Sequence, residues 1–233
     1  ATRSTGFNHI DIEEAERRDI TVVSVPAYGE HTVAEYAFGS LLSLTRKIPE
    51  AVKMTRENIC IPPELVRGVD LCGKTIGIIG AGRIGKKMIA MAKGFSMNVV
   101  VYDEYKDQDS AAALGYVYTS FDDLLIQSDV ISIHMPLTDL THHMLNKEAF
   151  LKMKKDVYII NTARGELIDT AALIDALVQN KIKGCALDVC EGEELLIKKC
   201  SPEFLASLQS RTLLKESAHL QILKSMPNVL LSP

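Results

Sequence analysis

Three glycines and an aspartate are the residues of this sequence best suited to chemistry. Gly80, Gly82 and Gly85 spell GxGxxG in "TIGIIGAGRIGKKM", where an apolar run gives way to a helical pattern. Each glycine has a task around a pyrophosphate: the first permits the tight turn, the second lets the backbone approach the phosphates, and the third lets the helix pack closely on the strand. Arg83 and Ile84 open that helix, whose free amides and positive dipole end face the anion, and Arg83 adds a cationic contact. About 20 residues further on, the next apolar run ends at Asp103, where a carboxylate accepts hydrogen bonds from both ribose hydroxyls of an adenosine and repels a 2′-phosphate. No arginine follows in "DEYKD", so the predicted cofactor is NAD rather than NADP. A plain structural turn, or a related domain that binds adenosylmethionine, is the competing reading of the same glycines.

The elements around this turn alternate. "TVVSV", "TIGIIG", "NVVVYD", "DVISIHMP", "DVYIINTA", "GCALDVC" and "NVLLSP" read as strands, most of them apolar at consecutive positions, as in strands covered on both faces. Helix patterns such as "RIGKKMIAMAKGF", "SFDDLLIQS", "NKEAFLKMKK" and "DTAALIDALVQNK" lie between them. This succession predicts an α/β fold with a doubly wound parallel sheet. Residues 30–58 carry a long helical pattern with a break or kink at Pro49, and "ICIPPELVRGVDLCGK" reads as a loop. The first 26 residues, with one extended stretch, one short helix and one strand, are too few to bury a core of their own.

Composition narrows the partners. The 233 residues carry a formal net charge of -4, are 47% hydrophobic and 24% charged, and have the balance of a globular protein. They offer no basic field for nucleic acid and no polybasic stretch for a membrane, and no apolar run reaches the roughly 18 residues that a transmembrane helix needs. The five cysteines form no CxxC pair, which suggests neither a zinc site nor a disulfide framework and favours a reducing cytoplasm. No metal ligand set is expected. The chain begins without a methionine and ends on an apolar strand, "MPNVLLSP", which suggests a piece of a longer chain.

Beyond the glycine turn, the sequence resembles the D-isomer-specific 2-hydroxyacid dehydrogenase family over nearly its whole length. The resemblance rests on six motifs in order: "RSTGFNHID", "VPAYGEHTVAEYAFG", the GAGRIG turn, "HMPLTDLTHHMLN", "INTARGELIDTAALIDALVQNKIKGCALDVCEGE" and "PNVLLSP". It implies a Rossmann NAD-binding domain over residues 27–233, preceded by a remnant, residues 1–26, of a flavodoxin-like substrate domain. It implies a 2-keto or 2-hydroxy acid in the cleft between the two domains, and a homodimer formed through the NAD domain, to which residues 30–58 contribute. Their apolar pattern is equally a core face within one chain.

Roles follow residue by residue from that resemblance. Arg164 in "NTARGE" matches the arginine that binds the substrate carboxylate and polarises its carbonyl, a task suited to a permanently charged, forked donor. Glu193 in "LDVCEGE" matches the acid that raises the pKa of a catalytic histidine, although Glu191, Glu193 and Glu194 also read as one solvated acidic loop. Asp188 matches a residue near the nicotinamide ribose and carboxamide. Met135, Pro136, Thr141, Thr162 and Ala163 match further cofactor contacts, and Thr5 and Gly6 match the turn that holds the substrate carboxylate. Tyr28 falls where the D-lactate branch has a substrate-facing tyrosine, or it packs as a hinge residue. The family's catalytic histidine directly follows the proline of "PNVLLSP", one position beyond Pro233, and none of the six histidines present lies in that motif.

The expected reaction is therefore NAD-dependent reduction of a 2-keto acid, pyruvate above all, with the 233 residues holding the cofactor but not completing the chemistry. Two departures stand out, Cys190 in place of a frequent aromatic residue and Glu194 in place of a frequent proline. The charged stretch after "EGEE" leans toward the D-lactate branch. The alternatives are other branches acting on glycerate, glyoxylate, phosphoglycerate, formate or phosphite, or a non-enzymatic NADH-sensing corepressor of the C-terminal binding protein type.

Overall fold

Strands that are apolar on both faces need cover on both, and the chain supplies it. The computed structural model describes residues 10–25, 27–60, 62–193 and 211–232. At its centre is a seven-stranded sheet in the order β3-β2-β1-β4-β5-β6-β7, every pairing parallel. The strands are β1 (Thr75–Ile79), β2 (Asn98–Tyr102), β3 (Val117–Tyr118), β4 (Val130–Ile133), β5 (Val157–Asn161), β6 (Ile182–Leu187) and β7 (Val229–Leu231). The chain reverses direction across the sheet between β1 and β4, the crevice where doubly wound sheets receive ligands.

Alternate side chains of the central strands enter two separate cores. Ile159, Cys185 and Leu187 pack with Leu124, Phe150, Leu173 and Leu223 on one face; Ile76, Ile78, Ile160 and Ala186 pack with Phe38, Leu41, Met88 and Ile89 on the other. Each fully buried Leu or Ile contributes about 1.5–3 kcal/mol, so both layers bind the sheet firmly. The first face is covered by α7 (Phe121–Gln127), α8 (Lys147–Lys152), α9 (Thr170–Val178) and α10 (Arg211–Ser225), and the second by α2 (Glu30–Arg46) and α5 (Arg83–Gly94). Side-chain oxygens of Asp107, Ser120, Asn146 and Asp169 cap α6 (Gln108–Leu114), α7, α8 and α9, which fixes where each helix begins.

Several elements differ from the sequence reading. Residues 30–58 form two helices, α2 and α3 (Ile48–Arg56), separated by Lys47 in the left-handed conformation at φ 56°. The break thus precedes Pro49, which sits in the first turn of α3, where its missing N–H has no partner to lose. The supposed loop after it contains one helical turn, α4 (Pro63–Val66). "TVVSV" forms no strand: residues 21–25 follow α1 (Ile12–Arg17) without regular secondary structure and pair with no strand among the described residues. A strand exists only with a ladder partner. The final strand, β7, is an edge strand and only half buried.

Candidate active site

The carboxyl ends of five strands converge on one edge of the sheet. Gly80 follows β1, Asp103 follows β2, His134 to Pro136 follow β4, Thr162 to Arg164 follow β5, and Asp188 follows β6. The three glycines divide their work as their spacing suggests. Gly80 has φ +96°, and a Cβ there would stand 2.7 Å from the His134 carbonyl oxygen. A Cβ on Gly85 would lie 2.0 Å from the Gly80 carbonyl oxygen, so only glycine brings α5 this close to the end of β1. A Cβ on Gly82 would meet nothing within 4 Å. Space rather than packing explains that glycine.

The first turn of α5 has no side-chain cap, which leaves its amides and the positive end of the helix dipole available to an anion. Asp103 is tied to the same turn, its Oδ2 accepting from the Ala81 amide at 2.7 Å and its Oδ1 from the Tyr105 amide at 2.9 Å. A carboxylate has about four acceptor positions, so capacity remains for ribose hydroxyls. Beside the turn lies a cleft of about 300 Å³, lined by Tyr28, Glu30, Val33, Gly82, Ile84 and His134 among others. Arg83 lines it too and reaches Glu30 Oε1 at 3.5 Å. Tyr28 is exposed at the cleft. His134 is only partly buried as a residue, yet desolvation of its imidazole pushes the pKa down to about 4, and its Nε2 pairs with Ser132 Oγ at 2.9 Å.

Across the switch point, two turns meet. Arg164, itself extended, lies three residues past the end of β5 and precedes a single 3₁₀ turn (Gly165–Leu167); its Nη1 donates to the Ala163 carbonyl at 2.7 Å. Glu193 lies in the turn after β6, its Oε2 accepting from the Cys190 amide at 3.0 Å. Desolvation holds the Glu193 carboxyl above the usual range; Glu166 and Asp188 push the same way, against the Cys190 amide and the Arg164 guanidinium. Arg164, Asp188 and Glu193 therefore share one electrostatic neighbourhood. Burial likewise raises the Asp188 carboxyl, and it pushes the Cys190 thiol up to about 12, which keeps that sulfur protonated and unreactive near neutral pH.

The remaining expected contacts are distributed around the same edge. Thr162 carries a buried hydroxyl with no hydrogen-bond partner among the described residues, an orphan polar atom that a bound amide or ribose would satisfy. Ala163 donates its amide to Asn161 Oδ1 at 3.0 Å. Thr141 closes the turn after β4, donating to the Pro136 carbonyl and accepting from the Thr138 amide, each at 2.8 Å, while Met135 packs toward the core. Thr5 and Gly6 lie outside the described residues. An open glycine, an uncapped helix start, an orphan hydroxyl and a carboxylate with spare acceptor capacity are together a donor and acceptor set suited to a dinucleotide.

Three positioning features escaped the sequence reading. Asn161 is fully buried at the end of β5; it accepts from the Ala163 amide and donates to the Arg164 carbonyl at 2.8 Å, so one side chain shapes the turn that presents Arg164. Its place at the end of an apolar run, two residues before the turn, was the available signal. His143 Nε2 pairs with Glu191 Oε1 at 2.6 Å, and Glu191 Oε2 accepts from the Thr170 amide at 3.1 Å, which splits the acidic run into separate roles. The Tyr36 hydroxyl of α2 donates to Ser232 Oγ, fastening the end of β7 to the cofactor side. These partners lie 48 and 196 residues apart, and no local pattern joins them.

Comparison with known proteins gives the arrangement its context. Residues 38–233 match the description "D-isomer specific 2-hydroxyacid dehydrogenase, NAD binding domain". A 2-hydroxyacid dehydrogenase homolog of Zymomonas mobilis is 43% identical over 83% of this chain, which spans 58% of that relative. An aromatic 2-oxoacid reductase of Clostridium sporogenes is 41% identical over all of this chain and 67% of its own length. The crystal structure of a D-lactate dehydrogenase from Aquifex aeolicus, complexed with NAD and lactic acid, superposes with a TM-score of 0.88 at 38% identity, covering all of this chain and 67% of that one. The chain belongs to the D-isomer specific 2-hydroxyacid dehydrogenase family and carries its NAD-binding domain.

Proposed function

We propose that the chain is the cofactor-binding part of an NAD-dependent D-2-hydroxyacid dehydrogenase that reduces a 2-keto acid, with pyruvate to D-lactate as the leading reaction. The observation that carries this reading is the shared neighbourhood of Arg164, Asp188 and Glu193, with the orphan hydroxyl of Thr162 two residues before Arg164 in the same turn. Gly82, Ile84 and the first amides of α5 would hold the pyrophosphate, Asp103 the adenosine ribose, and Thr162, Ala163 and Asp188 the nicotinamide end, with Met135, Pro136 and Thr141 walling the site. The cofactor supplies a hydride. Arg164 grips the substrate carboxylate in a two-point contact and draws charge from the carbonyl, with Tyr28 and, by the family pattern, Thr5 and Gly6 as further substrate contacts. Glu193, already desolvated, favours the charged form of a neighbouring histidine, placed by the family pattern just after Pro233, which gives the proton to the new hydroxyl.

Residues 1–26 belong in this reading to the substrate domain and residues 27–233 to the cofactor domain, in a cytoplasmic homodimer. Tyr36, Ile48 and Val52 on α2 and α3, each more than 40% exposed, support a contact on that side. Sedimentation at micromolar concentration tests it, and a monomer would refute it. The reaction is tested by profiling the full-length protein with NADH against pyruvate, glyoxylate, phenylpyruvate and hydroxypyruvate. Pyruvate is expected to give the highest kcat/KM and D-lactate as product. Preference for phenylpyruvate would move the protein toward the aromatic 2-oxoacid reductase of Clostridium sporogenes, and absence of turnover with every keto acid would favour a sensing role.

A further inference from the structure

We propose that His142, His143 and Glu191 form a binding site for a divalent transition-metal ion such as zinc, cobalt or nickel. One ligand atom of each residue lies within 4.8 Å of the others. The two imidazoles stack with centroids 3.9 Å apart and planes inclined by 29°, so one ring must turn before both nitrogens aim at a common ion. His143 Nε2 already faces Glu191 Oε1 at 2.6 Å.

Donor atoms around a tetrahedral zinc ion at about 2.0–2.1 Å stand roughly 3.4 Å apart. The required movement is small, and the side chain best able to make it is His142, which is exposed and held by its stacking on His143. Two imidazoles and one carboxylate are the donor set of open, three-ligand sites for borderline metals, with water completing the shell. Glu191 is held from behind, its second oxygen accepting from the Thr170 amide, which orients the carboxylate as an outer-shell partner does. Binding replaces the direct His143–Glu191 contact with a bond from each to the ion. The ion would tie the loop that carries Thr141 to the turn that carries Glu193. Cysteine spacing gave no sign of this site because its ligands are histidines and a glutamate brought together from 48 residues apart.

The test uses tag-free protein, stripped with a chelator and desalted, titrated with Zn²⁺ by calorimetry and with Co²⁺ by absorption. The expected result is one ion per chain, weak visible cobalt bands without an intense near-ultraviolet thiolate band, and affinity lowered about tenfold or more in His142→Ala and Glu191→Gln. Zinc should also raise the Tm of the unsubstituted protein and not that of His142→Ala. His142→Ala leaves the His143–Glu191 pair intact, so it decides the matter even if Glu191→Gln fails to fold. No saturable binding, unchanged affinity in His142→Ala, or a thiolate band that places the ion on cysteine would each overturn the proposal.

Discussion

Gly165 is wedged against Cys190: a Cβ on the glycine would lie 2.3 Å from the Cys190 carbonyl carbon and 2.6 Å from the Glu191 amide nitrogen. Both neighbours are backbone, so neither can swing aside. The turn that presents Arg164 and the turn that presents Glu193 are thus held at a fixed separation by the absence of one methyl group. Under the proposed function, a keto acid held at one turn and a proton donor tuned at the other would depend on that spacing.

Gly165→Ala should therefore damage both folding and the site. The expected loss is about 1–3 kcal/mol or more, as for other overpacked positions, seen as a lower urea midpoint with an unchanged m-value. A substitution that leaves the midpoint unmoved would mean that the two turns slide apart easily.

Gly82 and Gly85 offer a contrast within one motif. Gly82→Ala puts its methyl into open space and should leave stability within about 0.5 kcal/mol, while weakening NADH about tenfold or more. Gly85→Ala drives its methyl into the Gly80 carbonyl and should destabilise the fold by about 1–3 kcal/mol or more. Thermal melts and NADH titrations of both variants check the pair; equal effects on stability would show that the two glycines do not divide the work in this way.

His134 gives a pH signature. Its pKa falls from the ordinary 6.5 to about 4 on folding because desolvation disfavours the imidazolium. The unfolded chain then binds more protons than the folded one between these values, so the contribution is whole above pH 6.5 and is lost as pH falls toward 4. Urea midpoints measured across that window should decline, and His134→Gln should decline less steeply. Parallel profiles would rule out His134 as a source of the loss.

Much of this was legible because the decisive signals are local. The GxGxxG spacing and the acid ending the next strand are short-range patterns, and the largely apolar runs at β1, β2, β4, β5 and β6 identify strands covered on both faces. "TVVSV" misled because an apolar run records a preference for burial and carries no information about whether a pairing strand stands beside it. Two-residue β3 is too short to leave a pattern, and its position comes from the neighbouring β2 ladder. The pairings of His143 with Glu191 and Tyr36 with Ser232 depend on where the sheet brings distant segments, which periodicity does not encode.

The central claim, that this edge of the sheet is an NAD site selected by Asp103, is tested most directly by titrating the 233-residue chain with NADH and NADPH and following cofactor fluorescence. The expected result is saturable NADH binding at least about tenfold tighter than NADPH, with the preference narrowed in Asp103→Ala because the carboxylate no longer repels the 2′-phosphate. Absence of NADH binding, or equal affinity for the two cofactors in the unsubstituted chain, would contradict it.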